Sequence, residues 1–173
     1  MVAIDSATKN LTSTRFPRTL LKTGAAVGAA ATVGTLLTDP ENRWYKSLDK
    51  PSWQPPKAAF PIVWTSLYVD IAVVSALVIA DAEEKKPGSS KPFQKALAKN
   101  LVLNGSWSGL FFRSKRPWLA AAGSALLAVS SADLVRRAWK SSPQRGAALS
   151  PYAVWTGFAT ALSTEIARRN SGR

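Results

Sequence analysis

The chain has 173 residues, a length that suits one domain, and it contains neither cysteine nor histidine. This composition excludes disulfides, thiolate and histidine metal sites, and the Ser-His and Cys-His catalytic arrangements. The formal net charge of +13 suggests an anionic partner. The cations lie in short clusters between long uncharged stretches, however, which favours membrane loops over a nucleic-acid-binding face.

The chain begins with a polar, basic segment over residues 1–19 that is rich in Ser and Thr. This composition is typical of a disordered extension, and also of an organelle transit peptide. An apolar run follows at residues 20–38, with Gly24 and Gly28 in a G-x-x-x-G spacing that lets helix backbones approach closely in lipid. We predict a retained first span here. A secretory signal peptide is the alternative, but the run is long for one.

A polar loop is predicted at residues 39–57, because three prolines in its second half exclude a regular helix. The loop also contains Trp44, Tyr45 and Trp53. Large aromatic rings are unusual in so polar a segment. We expect them to be buried against the rest of the protein or to lie at a membrane interface.

Four further apolar runs follow, separated by short charged linkers. We predict spans at residues 60–80, 96–112, 117–135 and 146–166. With the first run they make one five-helix domain over residues 20–170. A spanning helix needs roughly 20 mainly apolar residues, and these runs are short, so a soluble helical bundle is the alternative. Lys and Arg divide almost evenly between the two sides, so the charges do not set the orientation.

Three polar side chains stand out inside these runs. Asp70 lies near the middle of the second run, where a charge is costly, so we expect it to face a cavity or to pair with a neighbouring helix. Asp133 precedes Arg136 and Arg137 at helical spacing, which predicts a local ion pair. Asn104 is expected to form hydrogen bonds either between helices or with a ligand.

Three segments, in this order, carry a resemblance to a known family. Residues 44–56 read WYKSLDKPSWQPP and are followed by FPIVWTSLY at residues 60–68; residues 103–112 read LNGSWSGLFF and residues 151–160 read PYAVWTGFAT. They are similar to the first loop with the entry to the second helix, to the third helix and to the fifth helix of the TspO/MBR family of translocator and tryptophan-rich sensory proteins. The first segment is long and irregular, so its match is specific.

The resemblance implies an all-α, five-transmembrane-helix bundle that is often dimeric. Its Pro/Trp-rich loop between helices 1 and 2 would form a lid over a cavity. Family ligands include porphyrins, other tetrapyrroles and, in animal members, cholesterol. Some bacterial members are reported to degrade porphyrin in light, and Trp64 and Trp155 match the tryptophans implicated in that reaction. The cholesterol pattern at the end of the family's fifth helix contains a tyrosine, and residues 161–168 here have no aromatic residue.

A porphyrin is a flat aromatic macrocycle with carboxylates on one edge. Its site therefore needs stacking rings, an apolar slot and cations at the rim. We expect Lys46, Lys50 and Lys57 to meet the carboxylates. The predicted ligand-binding residues are Trp44, Tyr45, Pro51, Trp53, Trp64, Tyr68, Asn104, Trp107, Phe111 and Trp155. The alternative is that the loop tryptophans are membrane anchors and that the helical ones are packed core.

We therefore predict a multi-pass membrane protein that binds a porphyrin or another flat hydrophobic molecule for sensing, sequestration or transport. No cofactor and no metal site are predicted. A slow light-dependent porphyrin-degrading enzyme that uses Trp64 and Trp155 is the alternative function. The expected partners are the lipid bilayer and a second copy of the chain, not nucleic acid. The composition suits a bacterial plasma membrane, and the basic N-terminal segment leaves an organelle membrane open.

Overall fold

A computed structural model describes residues 15–171, and within that range the protein is all-α, with six helices and no strand. Five helices are long and one is short. They are α1 (Arg15–Leu37), α2 (Arg43–Ser47), α3 (Ala59–Lys85), α4 (Lys91–Phe112), α5 (Pro117–Ser141) and α6 (Pro143–Arg169).

Among the described helices, α1, α3 and α5 are long and apolar enough to cross a membrane. The other two long helices coincide with predicted spans but are more polar. Helix α4 carries Lys91, Lys95 and Lys99 in its first half, and α6 is rich in Ser, Thr and Gly. The hydropathy of the folded helices therefore supports three spans by length and composition.

Most of the long helices extend beyond the apolar runs that predicted them. Helix α1 begins at Arg15, so residues 15–19, which we predicted as part of the tail, are helical; residues 1–14 lie outside the described range. Pro17 is compatible with this start, because the N–H groups of the first turn have no acceptor within the helix and the missing N–H of proline is therefore not needed there. Backbone hydrogen bonding continues through charged helix ends, which hydropathy does not detect.

The charged linker between the second and third runs is also mostly helical. Helix α3 ends at Lys85 and α4 begins at Lys91, so only a short turn remains. Gly88 adopts a φ of 82° in this turn, a backbone conformation that favours glycine. The Glu83 carboxylate accepts hydrogen bonds from the N–H groups of Gly88 and Ser90, which fixes the turn.

The predicted loop contains the short helix α2. The side chain of Asn42 caps its start by accepting a hydrogen bond from the N–H of Trp44 at 2.8 Å. The prolines follow this helix, so the expectation of irregular backbone holds for residues 48–58.

Helix packing runs from α1 to α3, α6, α5 and α4 and back to α1. The most extensive contact is between α5 and α6. Buried side chains such as Ile71, Leu134, Leu149 and Tyr152 form one core cluster. A second cluster, around Leu48, lies at the end of the helices where residues 38–58 connect α1 to α3.

Close helix packing through small residues occurs at a different place from the one predicted. A Cβ added at Gly24 or Gly28 would meet nothing within 4 Å among the described residues. At Gly105 of α4, by contrast, an added Cβ would lie 3.2 Å from the carbonyl oxygen of Ala30 in α1. Glycine at position 105 therefore allows the backbones of α1 and α4 to approach closely.

Candidate functional site

A cavity of about 440 Å³ lies between the long helices at the end covered by residues 38–58. Its size is within the range of roughly 300–1,000 Å³ typical of small-molecule sites. All five long helices contribute to its wall, and so does the connecting segment through Thr38, Pro40, Tyr45, Gln54 and Lys57.

Aromatic rings dominate the wall and are arranged in pairs. Trp64 stacks on Tyr68 with ring centroids 5.5 Å apart, and Trp155 stacks on Phe158 at 5.3 Å. On the opposite side, Trp107 stacks on Phe111 at 5.4 Å. These pairs follow from helical geometry, because partners three or four positions apart lie on the same face of a helix.

Two polar atoms at the cavity wall are buried without a hydrogen-bond partner among the described residues. They are the indole Nε1 of Trp155 and the side-chain Oε1 of Gln54. The first is a donor and the second an acceptor. Buried polar groups are nearly always paired in folded proteins, so two unpaired atoms on residues of one cavity wall are unusual.

A chain of hydrogen bonds leads from the cavity into the protein. The Tyr68 hydroxyl donates to Asn104 Oδ1 at 2.9 Å, and Asn104 Nδ2 donates to the Tyr152 hydroxyl at 3.1 Å. The Tyr152 hydroxyl then donates to Asn100 Oδ1 at 2.7 Å. Asn104 thus joins α3 to α6 and also lines the cavity, so both roles expected for it are compatible with its position.

The same chain ends on α5. Asn100 Nδ2 donates to the hydroxyls of Ser130 and Ser131, at 3.2 and 3.1 Å. Asn100, Ser131 and Tyr152 are completely buried. Because each buried amide and hydroxyl of the chain has a partner, the network fixes the relative positions of α3, α4, α5 and α6.

The segment over the cavity is attached to the end of α6. The Asp49 N–H donates to Asn170 Oδ1 at 3.0 Å, and Asn170 Nδ2 donates to the Asp49 carbonyl oxygen, also at 3.0 Å. Leu48 and Pro51, on either side of Asp49, are buried. The segment is thus held by both backbone hydrogen bonds and apolar contacts.

The three loop lysines occupy different positions. Lys46 and Lys57 both pair with Glu41, and their hydrogen bonds lower the pKa of that carboxyl to about 2. Lys57 also lines the cavity. Lys50 lies over the Tyr45 ring, 4.7 Å from its centroid, and burial lowers the pKa of its ammonium group.

Most of the predicted ligand-binding residues lie together around the cavity. Those that line it are Tyr45, Trp64, Tyr68, Asn104, Trp107, Phe111 and Trp155. Trp44, Pro51 and Trp53 lie behind the wall instead. Trp44 packs edge-on against Phe111, and Trp53, which is 47% exposed, packs edge-on against Phe158.

Several lining residues were absent from the sequence prediction. Phe60 and Phe158 flank Trp64 and Trp155 at helical spacing, so the 3.6-residue period would have identified them. Gln54 lies within the loop segment that resembles the family, but nothing in its residue type or spacing indicated a role in ligand binding. Ser108, Ser124 and Ser163 line the cavity from three different helices, and nothing in their local sequence distinguishes them.

The structure also locates the charged residues inside the predicted spans. Asp133 pairs with Arg136 and Arg137, as predicted. Asp70 neither lines the cavity nor forms an ion pair with any residue in 15–171, so neither expected role is met. One of its carboxylate oxygens is buried without a hydrogen-bond partner in the same range. Within that range there is also no cluster of three or more acidic side chains that could hold a metal ion.

Comparison with known proteins extends over most of the chain. The TspO/MBR family model matches residues 23–169. The chain is 35% identical to the tryptophan-rich sensory protein of Cereibacter sphaeroides, over 86% of this chain and 89% of that protein. It is 33% identical to the translocator protein of Ovis aries, over 76% of this chain and 77% of that protein.

A third relative is an uncharacterized membrane protein of Bacillus subtilis, which is 35% identical over 75% of this chain and 82% of that protein. The apolar helices and these relatives agree that this is a membrane protein. The match covers residues 38–58, the aromatic wall, α1 from residue 23 onward and the whole of the other four long helices. The chain therefore belongs to the TspO/MBR family.

Proposed function

We propose that this protein crosses the membrane five times and binds a porphyrin or a similar flat tetrapyrrole in the cavity between its helices. Residues 38–58 act as the lid. The biological role is sensing, sequestration or transport of that ligand. The observation that carries the proposal is the cavity wall, in which stacked aromatic pairs surround an unpaired buried N–H.

The chemistry of the wall suits a flat macrocycle. Trp64, Trp107 and Trp155 offer ring faces and edges for stacking, while Phe60 and Phe158 make the slot apolar. The Trp155 N–H can donate to a carbonyl or carboxylate oxygen. Gln54 Oε1 can accept from a pyrrole N–H.

The rim of the cavity supplies a cation. Lys57 lines the cavity and is 65% exposed at its side chain, so it can reach a carboxylate at the mouth of the site. It pairs with Glu41 across an exposed contact, and such pairs are weak, so a ligand carboxylate can compete for it. Lys50 is held over the Tyr45 ring and is less available.

Five spans are supported by length and packing, although two of the helices are polar. Helices α4 and α6 have 22 and 27 residues, which at about 1.5 Å per residue are long enough for a hydrocarbon core of about 30 Å. Much of their polarity faces inward. Asn100, Asn104, Tyr152 and Thr156 are buried in the helix contacts and do not face lipid.

Titration of the purified protein with protoporphyrin IX in detergent, in the dark, tests the proposal. Tryptophan fluorescence should be quenched saturably near one equivalent. Trp64→Phe, Trp155→Phe and the double variant should bind more weakly. Trp139→Phe is the matched control, because Trp139 is half exposed and does not line the cavity. Linear quenching that is the same in all variants would refute the cavity as the site.

Light-dependent degradation of the bound porphyrin is the second candidate function. Trp64 and Trp155 both line the cavity, and Trp64 stacks on Tyr68, a ring that can itself be oxidised and so share a radical. Light would excite the porphyrin, one of these tryptophans would exchange an electron with it, and dioxygen would be the terminal oxidant. Loss of the porphyrin spectrum under light and air in wild type, but not in the double variant, would favour this function over simple binding.

A further inference from the structure

A second pocket, of about 300 Å³, lies between α4 and α5, away from the aromatic cavity. Five of its seven lining residues are polar or charged. The residues are Pro92, Lys95, Ala96, Lys99, Ser130, Asp133 and Arg137. We propose that this pocket binds the phosphate headgroup of an anionic phospholipid.

The charge of the pocket is unbalanced. Asp133 is already paired with Arg136 and Arg137. Lys95 and Lys99 lie one helical turn apart and have no ion pair or hydrogen bond with any residue from 15 to 171. The pocket therefore presents two unpaired ammonium groups beside a guanidinium. Basic pockets between membrane helices are a recognised arrangement for anionic headgroups.

The pocket lies below the membrane surface but within reach of a headgroup through its long basic side chains. Lys99 lies eight residues into α4, roughly 12 Å from its start, and Arg137 lies four residues, roughly 6 Å, before the last residue of α5. This part of the protein is at the end opposite to the lid. Lys95 and Lys99 are exposed, and their long side chains can extend toward the membrane surface.

An apolar surface continues from the pocket toward the middle of the membrane. Val102 follows Lys99 by three positions on α4 and is 67% exposed. Leu126 precedes Ser130 by four positions on α5 and is 60% exposed. At these spacings both side chains lie on the faces that line the pocket. The cations of the pocket match the phosphate headgroup of a phospholipid, and the apolar side chains beside it match the acyl chains. A free phosphate would need only the cations.

The proposal rests on the membrane placement of α4 suggested above, but not on the identity of the cavity ligand. The test is native mass spectrometry of the full-length protein in detergent, with equal amounts of dioleoylphosphatidylglycerol and dioleoylphosphatidylcholine. Wild type should retain the anionic lipid preferentially. Lys95→Gln with Lys99→Gln should lower this retention by roughly fivefold for each lysine.

The matched control is Lys91→Gln with Lys140→Gln. These lysines are exposed at the same end of the helices and do not line the pocket, so the net charge changes equally. An equal loss of phosphatidylglycerol in both double variants would overturn the proposal, since it would reflect charge alone. Displacement of the lipid by excess inorganic phosphate would also overturn it in favour of a free-anion site.

A variant that is expected to increase lipid retention distinguishes a lost site from a folding defect, because misfolding would not increase retention. Asp133→Asn removes the carboxylate from the pocket and should increase retention of phosphatidylglycerol; no increase would contradict the proposal. Protoporphyrin titration of the same variants should give the wild-type affinity, because neither lysine lines the aromatic cavity. Lipid retention and protoporphyrin affinity therefore test the two proposed sites separately, and the failure of one does not imply the failure of the other.

Discussion

Asn170 holds the backbone of Asp49 through two reciprocal hydrogen bonds, although 121 residues separate the two in the chain. The contact joins the end of α6 to the segment that covers the cavity. Because both bonds use the Asp49 backbone, they do not depend on the aspartate side chain. Among the residues that the structure describes, the Asp49 side chain makes only a long contact with Arg169, at 3.7 Å.

Substitution of Asn170 by Ala should therefore speed the release of a bound ligand. Two hydrogen bonds, each worth about 0.5–1.5 kcal/mol, would be lost from the attachment of the segment. We expect the dissociation rate of protoporphyrin IX to rise by at least about fivefold in stopped-flow measurements. Asp49→Ala is the control, because it keeps both backbone bonds and should change the rate little. Equal rates in Asn170→Ala and wild type would mean that the segment does not gate the cavity.

Trp155 and Trp107 should respond differently to replacement by Phe. The Trp155 N–H has no partner among the described residues, so Trp155→Phe removes no hydrogen bond within the protein. It should weaken porphyrin binding roughly two- to tenfold without lowering stability through a lost bond. The Trp107 N–H donates to the Ala120 carbonyl at 3.3 Å, so Trp107→Phe should lower the free energy of unfolding by about 1 kcal/mol. Parallel losses of affinity and stability in both variants would argue against a ligand role for the Trp155 N–H.

The pairing of Glu41 with Lys46 and Lys57 predicts a pH dependence of stability. The pKa of Glu41 falls from 4.5 to about 2 on folding, mainly through the hydrogen bonds from the two lysines. A lowered carboxyl pKa stabilises the fold above pH 4.5, and this contribution, which is small because the pair is exposed, is lost as the pH falls toward 2. In detergent, the midpoint temperature of thermal unfolding should thus fall less steeply over that pH window in Glu41→Gln than in wild type. Glu84→Gln, at an exposed carboxylate with no ion pair in residues 15–171, should keep the wild-type slope.

Gly105 and Gly28 provide a matched test of close helix packing. An added methyl at position 105 would press against the Ala30 backbone of α1, which cannot move as a flexible side chain can. Overpacking costs about 1–3 kcal/mol. At position 28 the methyl meets nothing within 4 Å, so Gly28→Ala should gain about 1 kcal/mol from helix propensity alone. Denaturant unfolding should place Gly105→Ala below Gly28→Ala in stability, and the reverse order would show that α1 and α4 are not in close contact.

The sequence predicted the all-α class from apolar runs of helical length and from the resemblance to the TspO/MBR family. It placed the helix ends poorly, since residues such as Arg15 and Lys91 continue the helical hydrogen bonding without being apolar. It also predicted most of the aromatic wall, because Trp64, Trp107 and Trp155 lie in the stretches that resemble the TspO/MBR family.

The remaining features of the site depend on contacts that no local pattern contains. The pairing of Lys57 with Glu41 depends on the path of the loop, and the attachment of Asp49 by Asn170 depends on where α6 ends. Trp53 was expected at the cavity, but the turn that follows Pro51 brings Gln54 to the wall in its place. Such outcomes require the three-dimensional course of the backbone.

The hydrogen-bond chain from Tyr68 to Ser130 has a polarity. Every link donates in the same direction, from the cavity toward α5, so the Tyr68 proton is committed to Asn104. Nothing in residues 15–171 donates to the Tyr68 oxygen, so its capacity to accept a hydrogen bond is unused within that range. A ligand that brings an N–H or O–H to Tyr68 leaves the chain intact, whereas one that brings a carbonyl must reverse the orientation of Asn104. The buried hydrogen bonds thus favour, at Tyr68, a ligand that donates a hydrogen bond over one that accepts it.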